Sequence, residues 1–186
     1  MGKMFFVGLT VVVLSAPAAC RNGTDGKPVQ ERKEYTNETQ SNRRFTLPDG
    51  SVLILAPGTK VQLGGGFDSG KKELSLDGEA WFEIVSGPVT LHTRDMVVDI
   101  LRAGRFHAEA FRARPGEEIE VLLGTLTAKK SYHSDTDNET EALGPGEMVM
   151  INRDIDLMEK ETLNADELDK LKAAWSRTPG DLHDPR

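Results

Sequence analysis

Between residues 45 and 151 the apolar side chains come in short runs of alternating polarity, and Gly, Pro or Asp interrupts them every several residues. Period-two alternation bounded by turn residues marks β-strands. The predicted strands are 44–47, 52–55, 60–63, 73–76, 78–85, 89–92, 96–101, 105–111, 118–123, 125–129 and 148–151. Turn chemistry separates them at Pro48-Asp49-Gly50, Pro57-Gly58, Gly64-Gly65-Gly66, Asp77-Gly78, Gly87-Pro88, Pro115-Gly116 and Gly144-Pro145-Gly146. Within 78–85, Ala80, Phe82 and Ile84 share one face, with Trp81, Glu83 and Val85 on the other. The pattern predicts an all-β domain over 45–151.

A helical period appears only near the C-terminal end. Asn164 and Glu167 have capping-box spacing, Leu163 can staple onto Leu168, and Leu168, Leu171 and Trp175 fall on one stripe. Residues 152–178 therefore read as an extension with one short helix docked on the β domain, and 179–186 as a loose tail. Residues 20–44 hold few large apolar groups and read as a flexible tether.

The chain opens with basic Lys3, an apolar run to Ala19 and then Cys20, the one cysteine. An apolar core behind a positive start and before small residues is the form of an export signal, here 1–19. The run falls short of the roughly 20 apolar residues that cross a bilayer comfortably. Small Ala18 and Ala19 directly before Cys20 resemble the lipobox of bacterial lipoproteins, with Pro17 where those usually carry Leu. That resemblance implies cleavage before Cys20 and lipidation of its sulfur, anchoring an exported domain to a cell-envelope membrane. Arg21 after the cysteine favours the outer membrane, with the domain facing the periplasm or the surface. Ordinary cleavage and secretion, or an uncleaved anchor, are the alternatives.

Charge narrows the partners. The chain carries a formal net charge of -7, and loss of Lys3 with the leader makes it -8. Such a balance argues against nucleic acid and points to a protein partner. With one cysteine, no intramolecular disulfide forms, so stability comes from the core.

Leu47-Pro48-Asp49-Gly50-Ser51, with the strand behind it, resembles the opening signature of the FecR domain. Gly78-Glu79-Ala80-Trp81-Phe82 resembles that family's second signature, a glycine-glutamate-alanine-aromatic strand. Residues 118–129 resemble its valine-rich hairpin, and Gly146-Glu147 its turn before a last strand. The resemblance implies an antiparallel, twisted β-solenoid-like or sandwich domain. It also implies a role in envelope regulation, where such domains follow a cytoplasmic anti-sigma segment and often precede an end domain that contacts a TonB-dependent receptor. Three residues precede the apolar run and the chain stops soon after Trp175, so neither flanking part is expected here. Leu101-Arg102-Ala103-Gly104 also departs from the family's leucine-glycine-threonine.

The motif residues Leu47, Pro48, Asp49, Gly50, Ser51, Gly78, Glu79, Ala80, Phe82, Gly146 and Glu147 read as structural: turn formers and alternating inward groups. His92, His107, His133 and His183 lack metal-ligand spacing and read as surface or turn residues. Residues 135–139 lack the glycine and glutamate positions of an EF-hand and read as a solvated loop. Glu117 with Glu118, and Glu139 with Glu141, read as solvated turn carboxylates. The sequons at Asn22, Asn37 and Asn138 read as chance matches. No nucleophile elbow or phosphate loop occurs. The expectation is a non-catalytic lipoprotein without cofactor or metal that binds a protein in envelope signalling. The alternative is a structural or polysaccharide-binding lipoprotein.

Overall fold

The computed structural model describes residues 33–65, 67, 70–135 and 140–176. In chain order the strands are β1 Glu34–Asn37, β2 Arg43–Thr46, β3 Val52–Leu55, β4 Thr59–Leu63, β5 Lys72–Ile84, β6 Val89–His92 and β7 Met96–Ile100. They continue with β8 Gly104–Ala110, β9 Gly116–Leu123, β10 Leu126–Lys130, β11 Glu141–Leu143, β12 Glu147–Asn152 and β13 Leu157–Thr162. One helix, α1 Ala165–Ser176, follows. The leader 1–19, Cys20, the tail 179–186 and His183 lie outside the described residues.

β5 organises everything else. Its inward positions Leu74, Leu76, Gly78, Ala80, Phe82 and Ile84 alternate with outward ones, as a strand with one core face requires. The first half pairs with β4 and β6, the second with β3 and β8. From the first half extends the order β1-β4-β5-β6-β7-β10-β11, and from the second β2-β3-β5-β8-β9-β12-β13. Thirteen residues laid straight would span about 40 Å. Yet Lys72 at one end reaches Ser86 just beyond the other, its Nζ 2.8 Å from Ser86 Oγ. The strand is thus strongly bent, and the two sheet halves face each other.

Between the halves lies one core, from Tyr35, Val61, Leu74, Leu91, Val98 and Leu126 on one side to Phe45, Leu53, Phe82, Phe106, Ile119 and Val149 on the other. Consecutive strands cross between the halves at both sides, β1 to β2 and β11 to β12, so the sheet is nearly a closed barrel. The described residues are mostly β-strand with a single α-helix, at their C-terminal end, as expected.

Several expectations are corrected in detail. Asp77-Gly78 is not a turn: it lies inside β5, where Gly78 takes φ 129° and lets the strand bend. The tether expected over 20–44 does not extend through 34–44, because Tyr35 buries its ring against Phe45 at 5.4 Å and β1 and β2 form there. β11 and β13 were not anticipated. β13 is almost wholly exposed, so its residues carry no apolar alternation. The pairing is antiparallel except for β5 with β6, which run parallel.

Candidate functional site

The motif residues do not converge on one site; they brace three separate places. At the turn before β3, Gly50 holds φ 83° and Leu47 N donates to Ser51 O at 2.7 Å. Asp49 accepts from Ser51 N at 2.9 Å, Ser51 Oγ at 3.0 Å and Lys72 Nζ at 2.7 Å. Ser51 Oγ in turn accepts from Val85 N at 3.2 Å, so the turn is tied to both ends of β5. Pro48 leads into this turn at an exposed position.

In β5, Ala80 and Phe82 are fully buried, and Phe82 stacks on Phe106 at 4.8 Å. Backbone of Glu79 exchanges two bonds with Thr59 Oγ1, at 2.9 and 3.0 Å. The third place is the turn that carries the chain from β11 across to β12, where Gly146 has φ 81° and Glu147 accepts from Gly144 N at 2.7 Å. Lys160 Nζ sits 2.9 Å from Glu147 and holds its carboxyl, with the Gly144 bond, below the ordinary carboxylate range.

Ionisable groups gather instead on the outer face of the β5–β8–β9 sheet. Strand register sets Trp81 beside His107 and His107 beside Glu120, while Glu109 pairs with Glu118. His107 is buried, a correction to the surface position expected for it. Its Nδ1 lies 2.8 Å from Glu120 Oε2 and its Nε2 3.3 Å from Glu79 Oε1. Burial works against the imidazolium, but the bonds to Glu120 and Glu79 outweigh it and push the pKa up to about 9. Trp81 covers the ring at 4.6 Å, and Leu163, just before α1, joins Leu168, Leu171 and Trp175 of the helix in one cluster with Trp81, Val52 and Ile54.

Glu118 is no solvated turn residue either. It lies in β9, half-buried, its pKa raised by burial and by the neighbouring Glu120 and Glu79 carboxylates, with His107 partly offsetting them. A groove of about 300 Å³ runs beside it, with Glu109, Met150, Asn152 and Leu157 among its walls.

Glu117, expected in solvent, is buried on the opposite face. It accepts from Thr93 Oγ1 at 2.5 Å and from Asp95 N at 3.2 Å, while Arg94 clamps Asp95 at 2.6 Å. This cluster fastens the β6–β7 turn under the sheet. Asn37, in a formal sequon, is buried too, its Nδ2 donating to Leu55 O at 2.7 Å. That amide is spent on the fold. His92 is half-buried in β6, and His133 is exposed.

The His107 cluster escaped the sequence reading because its members stand 13 and 28 residues apart. Only the register of β5, β8 and β9 joins them. A usable signal existed in the polar residues at outward positions of strands whose inward faces are mostly apolar.

No protein-family model matches the chain, and no curated protein matches it. Solved structures do. Two crystal structures of a candidate anti-sigma factor from Parabacteroides distasonis ATCC 8503, at 2.50 and 1.65 Å resolution, superpose with TM-scores of 0.66 and 0.65. They are 23% and 22% identical to this chain and cover 79% and 78% of it. The matched region spans 65% of each of those chains. The likeness is one of fold.

Proposed function

We propose that this chain is a FecR-like module of the bacterial cell envelope that works in signalling by binding another protein rather than by catalysis. Cys20 is its lipid anchor and residues 1–19 its export signal. The reading rests on one observation above the rest: the β domain has the fold of a candidate anti-sigma factor over most of its length. The two sequence signatures support it, since Leu47-Pro48-Asp49-Gly50-Ser51 and Gly78-Glu79-Ala80 both hold the bent strand that defines this fold.

Two measurements test it in the native host. Labelled palmitate should enter the wild-type protein and not a Cys20→Ala variant. Deleting the gene should change the transcription of a defined regulon, and crosslinking at native expression should capture a reproducible envelope partner. An unchanged transcriptome across envelope stresses, together with saturable binding to purified peptidoglycan or glycan, would replace signalling by a structural, polymer-binding role.

A further inference from the structure

The outer face of the β5–β8–β9 sheet carries three carboxylates around one imidazole. Glu79 and Glu120 each bond a nitrogen of His107. Glu118 makes no hydrogen bond or ion pair among the described residues, although it is half-buried two positions from Glu120 on the same strand face. His107, Glu118 and Glu120 each bring one ligand-type atom to within 4.8 Å of the others. The local charge is therefore negative even with the imidazole protonated, and among the described residues Glu118 has only the charge of His107 to offset its own.

We propose that His107, Glu118 and Glu120 bind a divalent transition-metal ion, with Zn²⁺ as the occupant. One imidazole and two carboxylates are a donor set that Zn²⁺ accepts, and three protein ligands leave a position for water or for a partner's side chain. Nδ1 of His107, the nitrogen facing Glu120, is the ligand, and its proton leaves to solvent as the metal enters. Nε2 keeps its hydrogen and donates it to Glu79, the outer carboxylate that fixes tautomer and ring orientation at histidine sites.

The scaffold suits this role. All four side chains stand on adjacent paired strands rather than on loops, and Trp81 packs on the imidazole, so little ordering accompanies binding. Glu118 also lines the groove walled by Met150 and Leu157, so this ligand is open to solvent on that side. The inference stands apart from the signalling role, because it rests on this face alone.

The test uses the full chain, purified without a histidine tag and stripped with a chelator. Calorimetric titration with Zn²⁺ should give one ion per chain, and the thermal midpoint should climb as free Zn²⁺ rises. Glu118→Gln is the decisive variant, since Glu118 makes no hydrogen bond among the described residues. It should melt at or above the wild type without metal, yet bind Zn²⁺ at least about tenfold more weakly. Glu79→Gln should weaken binding by about 10- to 100-fold through the lost outer bond. Absence of saturable Zn²⁺ binding overturns the proposal. So does wild-type affinity in folded Glu118→Gln, or an equal stabilisation by Mg²⁺.

Discussion

The Asp49 carboxylate accepts a hydrogen bond from the Lys72 ammonium at 2.7 Å, and both side chains are largely buried. This contact locks the turn before β3 onto the first residue of β5, beside the Ser86 contact that brings the far end of the strand back. Burial raises the Asp49 pKa, but the bonds from Lys72 and Ser51 outweigh it and leave the carboxyl below its ordinary 3.8. A depressed carboxyl stabilises the fold above its unfolded value, and that contribution fades as pH falls through the folded one. Asp49→Asn should therefore lose about 1–3 kcal/mol at neutral pH, with a gap to wild type that closes in acid below 3.8. Urea titrations at stepped pH measure it, and a gap that persists unchanged in acid would refute the assignment.

Gly78 is the bend of β5, and its backbone lies against Thr59. A Cβ there would sit 2.5 Å from Thr59 Oγ1 and 2.7 Å from Thr59 Cα, at φ 129°. Gly78→Ala therefore combines strain with a clash against backbone and should cost more than about 3 kcal/mol. Gly58 is the control: it has φ 75° but open space around it. Gly58→Ala should cost about 1–2 kcal/mol, the left-handed strain alone. Equal losses at the two positions would show that contact with Thr59 contributes nothing.

Most of the fold could be read from the chain because its signals are local. A continuous apolar run exposes β3, alternation exposes β4 and the second half of β5, and the Asn164–Glu167 spacing exposes the start of α1. What stayed hidden depends on pairing between distant segments. Asp77-Gly78 has the composition of a turn, and only the approach of Thr59 makes it a bend within a strand. β1 is held by pairing with β4 and by the Tyr35–Phe45 contact, neither visible in so polar a stretch. The His107 cluster needs three strands in register before it exists at all.

Phe82 and Phe106 stack with their rings 4.8 Å apart and 9° from parallel, at the centre of the β5–β8 pairing. Phe82 is completely buried and belongs to the single core shared by both sheet halves. Phe82→Ala should cost about 3–5 kcal/mol by cavity formation. Phe82→Leu keeps much of the volume and should forfeit chiefly the ring contact, about 0.5–1.5 kcal/mol. Chemical denaturation of the two variants separates packing from stacking, and a Leu variant as unstable as the Ala variant would contradict that division.

α1 begins with a reciprocal cap in which Asn164 Oδ1 accepts from Glu167 N at 3.1 Å and Glu167 Oε2 accepts from Asn164 N at 2.8 Å. A twelve-residue helix is marginal alone, so its order depends on this cap and on Leu163 and Leu171 packed over Trp81. Asn164→Ala should withdraw about 1 kcal/mol from the helix. Because the β domain has its own core on the other side of the sheet, the loss should stay local. Amide exchange in α1 should quicken about fivefold while exchange in β5 and β8 keeps its wild-type rate. If exchange quickens equally in β5 and β8, the helix and the sheet unfold as one unit, and the docking surface at Trp81 is part of the global core.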